Sequence, residues 1–111
     1  MINCKIILDF WFKECNSKMW FKKNQEFDNL IKNKFQKTFE YCLKNKINNI
    51  YIIRENYLSW IIVLDQFSRN IYRNQIRSFS GDEKALKLSK IAIKKGFLIS
   101  NEDHYNSFFL M

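Results

Sequence analysis

Apolar side chains recur at three- and four-residue spacing along nearly the whole chain, and almost nothing interrupts them: proline is absent and glycine stands only at 81 and 96. That combination constrains the fold most, because the 3.6-residue period marks amphipathic helices and the missing punctuation leaves no linker between them. The helices are therefore expected to pack directly on one another. A chain of 111 residues fits a single helical domain, 1–111, with room for one modest core. An apolar fraction of 47% with eleven phenylalanines excludes a disordered chain, which has too little apolar surface to offset its conformational entropy.

Ile6, Ile7, Phe10 and Trp11 predict a first short helix over about 3–14, which Asn16-Ser17 ends. A longer helix starts at Asn24 as its N-cap, with Glu26 near the positive end of the dipole and Phe27, Leu30, Ile31, Phe35, Phe39, Cys42 and Leu43 on one stripe. Residues 45–49 read as a loop. Ile50-Tyr51-Ile52-Ile53 is ambiguous between a strand and a helix start, with a helical or irregular lead-in favoured. The third helix spans about 55–72 and is apolar widely, at Tyr57, Leu58, Trp60, Ile61, Val63, Leu64, Phe67 and Ile71, so it is expected at the centre.

A fourth helix follows Ser80-Gly81-Asp82-Glu83, where Ser80 and Glu83 have capping-box spacing and Asp82 is the competing cap; it stops at Gly96 after Lys94-Lys95. Ser100 to Asp103 repeats the start signal and opens a fifth with Tyr105, Phe108 and Phe109. Because Phe108-Phe109-Leu110-Met111 is apolar, this end is expected either to tuck into the core or to be followed by more chain.

The formal charge of +8 invites a nucleic-acid reading, since clustered Lys and Arg bind phosphates through counterion release. The distribution argues against it. Residues 1–49 carry ten Lys or Arg against five acids and residues 50–111 nine against six, so no segment concentrates the excess. Cys4, Cys15 and Cys42 are odd in number and lack Cys-x-x-Cys spacing, which indicates free thiols rather than a disulfide framework or a zinc site. The N-terminal segment does not resemble a signal peptide, and the apolar stretch Tyr57 to Leu64 is far short of the roughly 20 residues that span a bilayer. A soluble cytoplasmic protein, with no membrane role, is the expectation.

The run Asp65-Gln66-Phe67-Ser68-Arg69-Asn70-Ile71-Tyr72-Arg73-Asn74 is the one candidate site. On a helix Asp65, Arg69 and Arg73 fall at i, i+4 and i+8, so Asp65 can pair with Arg69 while Arg73 continues the row, and Gln66 with Asn70 forms the next. Guanidinium forks suit carboxylate or phosphate, and amides orient a ligand in either direction. The competing reading is structural: an i,i+4 ion pair, or a network tying this helix to Asp9, which among its apolar neighbours Leu8, Phe10, Trp11 and Phe12 either points outward or finds a donor, with Arg69 the preferred candidate. Asp9, Asp65, Gln66, Arg69, Asn70 and Arg73 are thus the candidate ligand-binding residues.

Trp11, Trp20, Phe21 and Trp60 could stack on a ligand, but aromatics at helical spacing read first as core. His104, the single histidine, has no nearby cysteine or second histidine and supports no metal. No catalytic triad order, phosphate-cradling glycine loop or paired-carboxylate spacing is present, so no catalytic residue, metal or cofactor is assigned.

Ile7-Leu8-Asp9-Phe10-Trp11-Phe12, Trp20-Phe21-Lys22-Lys23 with Phe27-Asp28, and Asp65 through Arg73 together resemble a bacterial family known only as domain of unknown function 924. Weaker agreement runs through Phe79, Asp82, Ala85-Leu86 and Gly96 to Phe108-Phe109-Leu110. The resemblance implies an all-α fold of stacked antiparallel helical hairpins, similar to tetratricopeptide repeats, with about five helices here. This chain departs from the family in having Ser68 where proline is typical and Asn74 where glycine follows the closing arginine. It also lacks prolines near Gln25 and Arg54, whose loss should loosen helix starts without abolishing the fold. The family continues past the final Leu-Met into a Pro-Phe-x-His-Ser-Glu segment, so the chain is expected to be the N-terminal part of a longer family domain.

A binding or protein-interaction module follows as the leading expectation, its partner an unknown protein or small molecule and its oligomeric state open. Stacked amphipathic helices offer such a surface, and no reaction signature accompanies them. The alternative is an enzyme or small-ligand site around Asp65, Arg69 and Asn70, incomplete in this chain and finished by a further C-terminal segment or a second subunit.

Overall fold

The computed structural model describes residues 3–15, 18–19, 24–47 and 54–96, and among these the regular structure is entirely helical. The all-α expectation therefore holds. Four helices carry the fold among the described residues. α1 covers 4–14: an α-helical Cys4–Asp9 runs into a π-helical turn, Phe10–Glu14, and Asn3 caps it by accepting from the Ile6 N–H at 3.2 Å. α2, Gln25–Lys44, starts as expected at Asn24, whose Oδ1 accepts from the Phe27 N–H at 3.1 Å.

α3 covers 54–71 in three parts: α-helical Arg54–Ile61, a π-helical turn Ile62–Phe67 and a last α-turn Ser68–Ile71. Every apolar residue assigned to its core is buried, and Ser59, Ile62, Gln66, Ser68 and Asn70 are buried too. From Tyr57 to Leu64 every residue is buried, which puts this stretch at the centre. α1 packs on its first part, α2 on its π turn and last turn, and α4, Asp82–Lys94, on its first part and π turn.

Aromatic rings join these elements. Phe67 stacks on Phe35 of α2 with centroids 4.6 Å apart, and meets Phe10 and Trp11 of α1 edge-on at 6.0 and 5.5 Å. The two π turns thus face each other across the Phe67 ring, which meets both Phe10 and Trp11, an arrangement that helical periodicity does not signal. Trp11 and Trp60 are core residues, as expected. Leu30 departs from its predicted stripe and is exposed, while Leu43 is only partly buried.

Two cross-connections fix the ends. Lys84 of α4 reaches back to the C-terminus of α2, where its Nζ donates to the carbonyls of Cys42, Leu43 and Asn45, groups that the helix itself leaves unsatisfied. The same ammonium lies 5.3 Å from the Trp60 ring centroid, and burial pulls its pKa down. At the start of α4 the anticipated caps are not used: Gly81 takes the N-cap position without a side-chain bond, Ser80 Oγ instead donates to the Arg77 carbonyl at 2.7 Å, and Asp82 turns to Arg69. Close approach explains the choice of glycine, since a Cβ at 81 would sit 2.3 Å from the Leu64 carbonyl oxygen. α4 ends at Gly96 in the left-handed conformation, φ 77°. Residues 50–53, Trp20, Phe21, His104, the fifth helix and the terminal Phe108 to Met111 lie outside the described residues.

Candidate functional site

The polar run at the end of α3 does not form one row. Its π turn and its early stop divide it between two neighbours. α3 ends when Tyr72 leaves helical geometry at φ −117°, ψ 36°, and Asn74 follows at φ 66°. Arg73 is thereby carried out of the helical row that the sequence predicts and turns toward α2 rather than stacking beyond Arg69.

Its partner is Asp28, in the first turn of α2. Arg73 donates from Nε to Asp28 Oδ2 at 2.5 Å and from Nη2 to Oδ1 at 2.9 Å, a bidentate fork, and Asn70 Nδ2 adds a third donor to Oδ1 at 2.9 Å. The Asp28 side chain is only 11% exposed and that of Arg73 30%. Burial of this kind requires such a set of partners. In return the hydrogen bond to Asp28 pushes the Arg73 guanidinium above its usual range.

Arg69 and Asp65 do pair, at 3.3 Å, as the i,i+4 spacing predicts, but Arg69 faces α4, where it also meets Asp82 at 3.3 Å. Gln66 donates from Nε2 to Asp65 Oδ2 at 2.5 Å. Two carboxylates share one guanidinium here; burial pushes the Asp82 carboxyl up, Arg69 opposes this, and Asp65 adds to the rise. Arg69 and Asp82 are both about two-fifths exposed, so this outer cluster resembles surface ion pairs that contribute about 0–1 kcal/mol each.

Asp9 belongs to neither group. The expected pairing with Arg69 is not made: Asp9 bonds Lys13 at 3.4 Å on its own helix, and with 36% of its side chain exposed it needs no buried donor.

The inner cluster lines a groove of about 470 Å³ between the start of α2 and the end of α3. Gln25, Asn29 and Lys32 contribute from α2, and Asn74 and Gln75 from beyond α3. Of the six residues proposed from sequence, the structure places Asn70 and Arg73 in this groove and groups Asp65, Gln66 and Arg69 outside it. Asp28 is the residue that sequence reasoning passed over. One signal was available: Asp28 lies three residues before Ile31 and seven before Phe35, on the buried stripe of α2, where an acid must find donors.

The sequence profile of a bacterial family of proteins of unknown function, DUF924, matches residues 7–111. The chain belongs to this family. A solved structure, that of a protein of unknown function from Agrobacterium tumefaciens, superposes with a TM-score of 0.85 at 28% identity, over 96% of this chain and 60% of the other. This chain therefore spans 60% of that relative's length. Among curated proteins nothing matches it. The structure also accounts for both departures from the DUF924 pattern within the polar run. Asn74 occupies a left-handed position that glycine takes freely and asparagine tolerates better than most residues. Ser68, at the position of the proline, donates its hydroxyl to the carbonyls of Leu64 and Asp65 at 2.8 and 3.1 Å, satisfying acceptors at the exit of the π turn.

Proposed function

We propose that this chain is a binding module whose ligand is a small polar solute held in the groove between α2 and α3. One observation carries the reading: an almost buried carboxylate, Asp28, is locked by Asn70 and Arg73 at the base of a concave site whose other lining is largely amide. A floor held by three hydrogen bonds is preorganised, and preorganisation reduces the entropy lost when a ligand binds. The bonds to Asp28 use neither the Nη1 hydrogens of Arg73 nor the Oδ1 of Asn70, a donor and an acceptor on the same lining. Asp28 itself is a positioning group, because both oxygens already accept bonds. This favours binding over proton transfer.

The test is an amide chemical-shift titration of the full chain with a panel of neutral, anionic and cationic metabolites. Saturable shifts at Asn29, Asn70 and Asn74 are expected; a panel that leaves all three unmoved overturns the reading. A second reading, a protein-interaction module, is favoured by Ile76 and Phe79, which stand 92% and 58% exposed on the 3-10 turn Ile76–Phe79 beside the outer cluster. A partner that shifts this turn and spares the groove would favour it. The free thiols Cys4, Cys15 and Cys42 suit a reducing, cytoplasmic setting for either function.

A further inference from the structure

We infer that the groove selects anions, specifically small carboxylate- or phosphate-bearing solutes, with Lys32 and Arg73 as the residues that meet the charge; this rests on the reading of the groove as a ligand site. Lys32 lies one helical turn beyond Asp28 on α2, lines the same groove, and has no ion pair among the described residues. Arg73 completes the pair from the far wall.

The charge balance excludes the other classes. Among the described residues the only carboxylate in the lining is Asp28, whose two oxygens already accept from Arg73 and Asn70, so a cationic ligand would find no unengaged acid there and would be repelled by Lys32. Neutral sugars are commonly held against aromatic faces as well as by hydrogen bonds, and among the described residues the lining contains no aromatic side chain; Ile71 is its apolar member. An anion, in contrast, meets an unpaired ammonium, the outer edge of a guanidinium and the amide donors of Asn29 and Gln25. Hydrogen bonds to a charged partner are the strong ones.

The experiment titrates the 111-residue chain separately with inorganic phosphate, succinate, glycerol and ethanolamine at constant ionic strength, reading the Asn29, Asn70 and Asn74 amide shifts. Phosphate or succinate is expected to saturate them, and whichever binds more tightly identifies the headgroup. Lys32→Gln is expected to weaken that binding at least fivefold with an unchanged thermal midpoint, because Lys32 is exposed and holds no structural bond among the described residues. Glycerol or ethanolamine saturating the groove while both anions fail overturns anion selectivity and leaves the ligand-site reading standing. If none of the four shifts the groove, and the wider metabolite panel fails as well, both fall. Undiminished anion binding in Lys32→Gln also overturns the assignment, since the ammonium would then have no part in it.

Discussion

Asp28 and Arg73 are partners of unequal burial, and that inequality has a measurable consequence. Removing Arg73 leaves a carboxylate 11% exposed with Asn70 as its remaining donor, whereas removing Asp28 leaves a guanidinium 30% exposed that can turn to water. Breaking a buried pair by deleting one member costs about 3–5 kcal/mol when the other is stranded, and less when it can be resolvated. Arg73→Ala is therefore expected to destabilise the chain by about 3 kcal/mol and Asp28→Ala by clearly less, as measured by urea unfolding; equal losses would mean that the pair is not anchored on the Asp28 side. The sequence showed Arg73 but not this role. Periodicity ranks residues within one helix, so it paired Asp65 with Arg69 correctly and placed Arg73 in the same row. The bond to Asp28 spans 45 residues and depends on where α3 stops, which no spacing rule encodes.

At the scale of elements, the boundaries read most easily were those with a local chemical cause. Asn24 caps α2 and Gly96 ends α4 because a side-chain acceptor and a positive φ are properties of single residues. The start of α4 was misread for the opposite reason. Ser80 and Glu83 have the right spacing for a capping box, but the close passage of residue 81 over the Leu64 carbonyl leaves room for hydrogen alone, a constraint set by packing between α3 and α4. The π turns escaped prediction similarly: they meet through Phe67 against Phe10 and Trp11, contacts between helices that the period of a single helix does not record. Gly81→Ala tests the packing account. A methyl group 2.3 Å from a backbone oxygen forces α4 away from α3, and overpacking of this kind costs about 1–3 kcal/mol. The expected result is a loss in that range by thermal or urea unfolding, with helical circular dichroism retained at low temperature. An unchanged midpoint would show that the two helices separate freely at this point.

Over the whole molecule, the buried side chains of α1, α2, α3 and α4 form one hydrophobic cluster among the described residues, and two of its members are thiols, Cys15 after α1 and Cys42 near the end of α2. Burial pushes the Cys15 thiol up to about 11 and the Cys42 thiol up to about 12, from an ordinary value of 9.0. A group whose folded pKa is raised contributes stability that is complete below its unfolded pKa and disappears as pH climbs through the folded value. Stability is therefore expected to hold up to about pH 9 and to fall between there and pH 11–12, as the unfolded chain ionises thiols that the folded one keeps neutral. The informative quantity is the difference between the chain and Cys42→Ala, in which this part of the slope should be missing. Because the thiols sit in a shared core and not in separable halves, tryptophan fluorescence and circular dichroism should report the same alkaline midpoint. Two midpoints would divide the cluster into independently folding parts, and an unaltered slope in Cys42→Ala would remove the thiol from the account of alkaline unfolding.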